Sequence, residues 1–85
     1  MKPDIEFSSH TLDMLRERNI LVEWVWHTIE NPQRKWLGED GNRHFSKPIK
    51  ESGNRVLHVI VNPDLRPQKI ITVFFDRRLK TPTRK

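Results

Sequence analysis

Residues 22–32 read VEWVWHTIENP, and the hydrophobic period of the chain changes at the end of this stretch. Four apolar residues recur at the i, i+3, i+4 and i+7 spacing of an amphipathic helix: Val22, Val25, Trp26 and Ile29. Asn31-Pro32 ends that helix, because the residue before a proline avoids helical backbone angles. We predict a helix over 22–30, with Trp24 projecting from its opposite side, where it either packs under a chain terminus or contacts a partner protein.

A first helix is predicted upstream, over Ser9–Arg18. Ser8-Ser9 offers side-chain oxygens for an N-cap, and Asn19 tolerates the left-handed backbone of a helix C-terminus. Residues 5–7 alternate like a short strand ahead of this helix. Arg18 lies on the apolar face of the helix, where a guanidinium bound to backbone carbonyls is favoured over a phosphate clamp.

Downstream of Pro32 the period is two, which is typical of β-strands. The predicted strands cover residues 33–37, 42–49, 55–61 and 69–75. The expected fold is therefore α+β, with two N-terminal helices packed on one face of a four-stranded antiparallel sheet and a short N-terminal strand at an edge. We predict one domain over 1–85, with a core over 5–76 and a frayed basic tail over 77–85.

The first predicted hairpin turns at Glu39-Asp40-Gly41-Asn42, where Asp-Gly is a strong type I′ signal. Pairing residue 39 with 42 places Trp36 and Phe45 on one face of the sheet. The same pairing places Leu37 and His44 on the other face.

The next connection allows two registers. A two-residue Ser52-Gly53 turn places Phe45 on the face of His58, whereas a three-residue loop with Asn54 left-handed aligns Phe45 with Leu57 and Val59. We favour the second register because it collects the apolar residues on one side. The face turned away from the helices then carries the other set: His44, Ser46, Val56, His58, Ile60, Ile70, Thr72 and Phe74.

Composition limits the chemistry. The chain of 85 residues contains no cysteine, which excludes disulfides, thiolate catalysis and cysteine-based zinc sites. It has no 20-residue apolar run and no signal-peptide pattern, so a cytoplasmic location is expected. Neither a metal nor a cofactor is expected, since the histidines lack zinc spacing and the three glycines form no phosphate-binding loop. A net charge of +5 favours polyanionic partners such as nucleic acid.

Residues for metal-independent RNA cleavage lie on the predicted sheet. Such cleavage needs a base for the 2′-OH, an acid for the leaving 5′-oxygen and a cation for the phosphate. His44 and His58 are the candidates for proton transfer, because histidine titrates near neutral pH, and Arg43 is the candidate cation. Residues expected to bind nucleic acid are Arg55, Arg77, Arg78 and Lys80; residues expected to bind a partner protein are Trp24, Thr72 and Phe74.

Short motifs along the chain resemble a known family of small bacterial domains. They are Ser9-His10, Arg16-Glu17-Arg18-Asn19-Ile20, Asn31-Pro32, Arg43-His44-Phe45 and Thr72-Val73-Phe74. Over about residues 7–79 the chain resembles the domain-of-unknown-function family 4258, which is similar to the BrnT and RelE/ParE toxins. Two residues depart from the pattern of this family: Leu21 stands where a small polar cap is usual, and His44 stands where an aromatic residue is common.

The resemblance implies a RelE-like fold and membership of a toxin–antitoxin pair. RelE-like toxins cut messenger RNA, often at the ribosome, and the resemblance points to Arg43, His44, His58, Arg77 and Arg78 as the residues involved. Our first hypothesis is thus an endoribonuclease that a cognate antitoxin neutralises. The alternatives are a non-catalytic module that binds nucleic acid or protein, and a homodimer formed through the outer sheet face.

Overall fold

The computed structural model describes residues 4–79. Two helices and five strands follow one another along the chain: β1 (Ile5–Phe7), α1 (Ser9–Arg18), α2 (Val22–Glu30), β2 (Arg34–Leu37), β3 (Arg43–Ile49), β4 (Arg55–Asn62) and β5 (Gln68–Phe75). A single 3-10 turn, Lys50–Ser52, joins β3 to β4. The predicted bounds of both helices are confirmed.

Local hydrogen bonds explain where the helices begin and end. The Ser8 side chain accepts a hydrogen bond from the Thr11 amide at the start of α1. At its end Asn19 adopts φ 56°, and the Ile20 amide donates to the Leu15 carbonyl at 2.9 Å. Leu21 precedes α2 without any side-chain cap, in keeping with its departure from the family pattern.

The strands form one mixed sheet in the order β1-β5-β4-β3-β2. Consecutive strands from β2 to β5 pair antiparallel, as predicted. The N-terminal strand is present, and it pairs parallel with β5. The sheet is therefore mixed rather than purely antiparallel, because the chain passes from β1 at one edge through both helices to β2 at the other edge, and β1 then runs parallel to β5.

Both helices contribute to one apolar core. Leu15 of α1 and Val25 and Ile29 of α2 belong to the same buried cluster as the sheet residues. The sheet side of this cluster consists of Ile5, Phe45, Ile49, Leu57, Val59, Val61, Ile70 and Val73. The opposite side of the sheet, which we call the outer face, carries the other residues of β3 and β4, since successive side chains on a strand alternate.

The first hairpin is shifted by one residue from the predicted register. The Gly38 amide donates to the Asn42 carbonyl at 2.9 Å, and Trp36 lies opposite His44. The predicted grouping of Trp36 with Phe45 was therefore wrong. Glu39, Asp40 and Gly41 form the loop, and Gly41 supplies the single left-handed position at φ 81°.

The second connection follows the favoured register, with Phe45 opposite Val59 and Asn54 at φ 65°. The loop itself covers residues 50–54 and is longer than the three-residue loop that was predicted. The predicted place of Ile70 on the outer face was wrong. A β-bulge between β4 and β5 pairs Ile70 with Val61 and turns it into the core, where it is fully buried.

Two apolar assignments on α2 were also wrong. Val22 was expected on the buried stripe but is 43% exposed. Trp24 was expected to project away from the core, yet it packs against the core and meets the Phe75 ring edge-on at 6.3 Å. α2 packs on β3 and β4, and Trp24 in its first turn reaches the Phe75 ring at the end of β5.

Candidate functional site

His44 and His58 meet on the outer face. They lie on neighbouring strands, β3 and β4, and the Nδ1 atom of His44 is hydrogen-bonded to Nε2 of His58 at 2.8 Å. The His58 side chain is 6% exposed and that of His44 is 12% exposed. The predicted convergence of these two histidines on the face away from the helices is confirmed.

Asp76 extends this contact into a chain. Its amide donates to the Val56 carbonyl at 2.9 Å, which continues the β5 ladder by one residue and turns the carboxylate toward the outer face. Asp76 Oδ2 then accepts from His58 Nδ1 at 3.0 Å. Because the carboxylate side chain is only 3% exposed, this hydrogen bond is shielded from water.

Arg78 holds the same carboxylate from its other side. Its amide and its Nε both donate to Asp76 Oδ1, at 2.9 Å and 3.1 Å, and its Nη2 donates to Oδ2 at 3.1 Å. This fork fixes the plane of the carboxylate. The Arg78 side chain is itself 82% exposed, so one edge of the guanidinium is engaged while the rest faces solvent.

The other end of the chain reaches the first hairpin loop. His44 Nε2 lies 3.3 Å from Oδ1 of Asp40, whose side chain is 50% exposed. Gly38 makes this approach possible, because a Cβ built there would lie 2.6 Å from Asp40 Oδ1 and would collide with the His44 ring. The sequence Asp40–His44–His58–Asp76 is thus continuous, and we call it the histidine relay.

Aromatic rings enclose the relay on the sheet. Trp36 stacks on the His44 ring with centroids 5.1 Å apart, and Phe74 lies 5.0 Å from the His58 ring. These rings exclude water from the faces of both imidazoles. The edge of His44 that carries Nε2 remains directed at the half-exposed loop.

Electrostatics sets the protonation of the buried end. The Arg78 side chain, helped by the hydrogen bond from His58, holds the pKa of Asp76 well below its ordinary value. Burial lowers the pKa of His58, against the opposing hydrogen bond from Asp76. At neutral pH the relay therefore contains an ionised Asp76 beside a neutral His58.

The other predicted cations lie apart from the relay. Arg43 belongs to the opposite side of β3 from His44, and its guanidinium lies 5.6 Å from the centroid of the Phe45 ring. Arg55 covers the Phe75 ring at 4.1 Å and donates to the Ser52 carbonyl. Arg77 is exposed and lines a shallow pocket with Arg55, Phe75 and Asp76. Lys80 lies outside the described residues.

The three residues predicted to bind a partner do not share a surface. Phe74 lies on the outer face beside His58, and Thr72 lies opposite Ile60 on that face. Trp24 packs on the helix side of the sheet.

Sequence reasoning missed Asp76, Asp40 and Trp36 as members of the site. Asp76 has the same strand parity as Thr72 and Phe74, which is a signal that the sequence does carry. Asp40 and Trp36 required the correct hairpin register. Among residues 4–79, no group of three histidine, aspartate or glutamate side chains is placed to hold a metal ion, and no helix is long and apolar enough to cross a membrane.

Comparison with known proteins assigns the chain to a family. Residues 7–75 match the family described as a domain of unknown function, DUF4258. No curated protein and no solved structure matches the chain significantly. The chain therefore belongs to the DUF4258 family, as its motifs predicted.

Proposed function

We propose that this protein is a metal-independent endoribonuclease in which His44 removes the 2′-OH proton of RNA. The observation that carries the proposal is the histidine relay, which runs from the buried Asp76 through His58 and His44 to the half-exposed Asp40 on the outer face. An imidazole with an oriented, available nitrogen is the group that general-base catalysis requires near neutral pH.

The reaction is an internal transesterification. The 2′-oxygen attacks the adjacent phosphorus, the bond to the 5′-oxygen breaks, and a 2′,3′-cyclic phosphate forms. The 2′-OH proton passes to His44 Nε2, water protonates the departing 5′-oxygen, and the hydroxide left behind recovers the proton from His44. RNA reaches Nε2 by displacing the half-exposed Asp40 carboxylate.

Other residues of the site have supporting roles in this reaction. Both ring nitrogens of His58 contact protein atoms, so His58 orients His44 instead of touching RNA. The exposed part of the Arg78 guanidinium is the cation available to the phosphate on this side of the sheet. Arg43 has no role in the step, because its side chain lies on the opposite side of β3.

The resemblance to RelE-like toxins supports a biological setting for this activity. The protein would act in the cytoplasm on messenger RNA, at or near the ribosome, as the toxin of a toxin–antitoxin pair. The surplus of positive charge, +5, supports an RNA substrate.

The test is cleavage of a single-stranded RNA by purified protein in the presence of EDTA. We expect 2′,3′-cyclic phosphate ends, and we expect His44→Ala to reduce the rate by about 100-fold or more, the usual loss on removing a general base. His10→Ala is the matched control, because His10 is exposed on α1, and it should leave the rate unchanged. Full activity of His44→Ala, or a requirement for a divalent cation, would contradict the proposal.

A second candidate function, binding of a partner protein, is favoured by the sheet edge. Leu37 is 71% exposed on β2, which forms one edge of the sheet. Arg34 and Lys35 are exposed on the same strand, so an acidic partner fits better than a second copy carrying the same charges.

This second function is tested by co-purification with the product of the reading frame next to this gene. We expect Leu37→Asp to weaken the complex at least about tenfold, as charges at the apolar centre of an interface do. Leu12→Asp is the control, because Leu12 is 44% exposed but lies on α1. Equal binding by both variants would remove β2 from the interface, and stable binding with no RNA cleavage would favour this function over the first.

A further inference from the structure

The hydrogen bonds of the histidine relay determine which nitrogen carries each proton. An ionised carboxylate only accepts hydrogen bonds, so the 3.0 Å contact with Asp76 places a proton on His58 Nδ1. A neutral His58 then has its lone pair on Nε2. The 2.8 Å contact with that atom in turn requires the proton of His44 to be on Nδ1. By elimination, the lone pair of neutral His44 is on Nε2.

We propose that Asp76, acting through His58, is a positioning residue that holds His44 in the Nδ1–H tautomer, so that Nε2 is the atom that exchanges a proton at the surface. Its catalytic consequence rests on the proposed ribonuclease activity, whereas the tautomer itself does not. Asp76 lies one full imidazole away from His44, and the relay transmits its charge state through two hydrogen bonds.

The surroundings of the two rings offer one competing partner within the described residues, the ionised Asp40, which would accept from a proton on His44 Nε2. Its contact is 3.3 Å long and half-exposed to water, whereas the contacts of 2.8 Å and 3.0 Å that fix the assigned tautomers are largely buried. The groups that face the pair are Trp36 from β2, Asp40 from the hairpin loop, Phe74 from β5, and Asp76 with Arg78 beyond β5. Trp36 and Phe74 present rings, and Arg78 is occupied by Asp76. Asp40 is the only carboxylate facing His44 Nε2 among the described residues, and it is the group that RNA displaces in the proposed reaction.

Asp76→Asn provides a sharp test because Arg78 dictates how the new amide is oriented. Asp76 Oδ1 accepts from both the amide and the Nε of Arg78, so the oxygen of the asparagine should keep this place. Its NH2 group then replaces Oδ2, where it loses the one hydrogen bond from Arg78 Nη2, and donates to His58 Nδ1. The His58 proton moves to Nε2, from which it donates to His44 Nδ1, and the His44 proton moves to Nε2. One distant substitution should thus invert both tautomers.

The measurement is two-bond ¹H–¹⁵N correlation NMR on the full chain labelled with ¹⁵N-histidine, at a pH at which both rings are neutral. In the unsubstituted protein we expect Nδ1–H on both His44 and His58, and in Asp76→Asn we expect Nε2–H on both. Asp64→Asn is the matched control, since Asp64 is exposed on the β4–β5 loop, and it should change neither ring.

Nε2–H on His44 in the unsubstituted protein would overturn the proposal. This part of the test does not depend on whether any variant folds. An unchanged His44 tautomer in folded Asp76→Asn would overturn it as well. In the RNA assay, Asp76→Asn should lower the rate by roughly the 10⁴-fold seen when the orienting aspartate of a serine protease is so replaced. If the tautomers invert but the unsubstituted protein cuts no RNA, the relay stands and the proposed ribonuclease function fails.

Discussion

The folded protein stabilises the form of Asp76 and of His58 that predominates at neutral pH, which is the ionised carboxylate for Asp76 and the neutral ring for His58. The pKa of His58 is lowered from 6.5, mainly by burial, so between its folded pKa and 6.5 the unfolded chain binds more protons than the folded one. The pKa of Asp76 is also lowered, from 3.8, first by the hydrogen bond from Arg78. In more acidic solution the unfolded chain therefore again binds more protons than the folded one. Both groups therefore contribute stability at neutral pH that is lost on acidification.

We expect the free energy of unfolding to be constant near pH 7–8 and to fall in two stages, below about 6.5 and below about 4, with a slope of at most roughly 1.4 kcal/mol per pH unit for each group. Urea unfolding at a series of pH values measures this. His58→Gln should abolish the first stage and keep the second, whereas His10→Gln, at an exposed site, should keep both. An unaltered first stage in His58→Gln would contradict this assignment.

Single residues of the site could be predicted where strand alternation alone decided their place. His44 and His58 share a face because the loop register that buries Phe45 beside Val59 leaves them together. Arg43 and His44 are consecutive on one strand, so the same alternation places their side chains on opposite faces of the sheet. The predicted role of Arg43 beside His44 was therefore inconsistent with the predicted strand. Asp76 lay just beyond the last apolar strand and was assigned at the boundary of a frayed tail. Its partner His58 is 18 positions away in sequence, a separation that no local pattern reveals.

At the scale of elements, the β2–β3 hairpin and the relay depend on each other. Gly38 has no positive φ that would demand glycine, so the close approach of His44 and Asp40 is the reason for it. We expect Gly38→Ala to destabilise the protein by about 1–3 kcal/mol, the usual cost of overpacking. In a His44→Ala background, Gly38→Ala should lower the free energy of unfolding much less, because the imidazole ring that the new methyl group would contact is absent. Denaturant unfolding of the four proteins of this double-mutant cycle gives the coupling. Equal costs in both backgrounds would show that Gly38 serves the hairpin alone.

Three of the four helix ends were predictable because each has a local chemical cause. Ser8, Asn19 and Asn31-Pro32 mark these ends in the sequence itself. Sheet details were less accessible. The predicted register of the first hairpin was wrong by one residue because Asp-Gly fits both a two-residue turn and the three-residue loop that forms. Only the packing of side chains across β2 and β3 distinguishes the two. The bulge that buries Ile70 depends on long-range pairing between β4 and β5, which the alternation of either strand does not show.

For the whole molecule, charge and fold together define how RNA should approach. The helices cover one side of the sheet, and the relay, Arg78 and the outer face of β3 and β4 lie on the other. Sequence composition predicted a polyanionic partner but assigned it to no side. The DUF4258 family and the α+β class were predictable from short motifs and hydrophobic periods, whereas the mixed sheet was not, because nothing local fixes whether a three-residue strand pairs parallel or antiparallel.

An electrostatic approach to the outer face predicts a specific dependence of RNA binding on salt. Each phosphate contact releases condensed counterions, so the logarithm of the binding constant for single-stranded RNA should fall linearly with the logarithm of the salt concentration. Arg78 is 82% exposed beside the relay, and we expect Arg78→Ala to reduce the magnitude of that slope by roughly 0.7, the value for one contact on a single strand. Arg16→Ala removes the same charge from an exposed position on α1 and is the matched control. It should leave the slope unchanged, because long-range attraction is screened beyond about 10 Å at 0.1 M salt.

Fluorescence anisotropy of a labelled RNA over a salt series measures both slopes. Equal reductions in the two variants would mean that RNA senses only the net charge of +5, and would remove the outer face as the preferred side of approach.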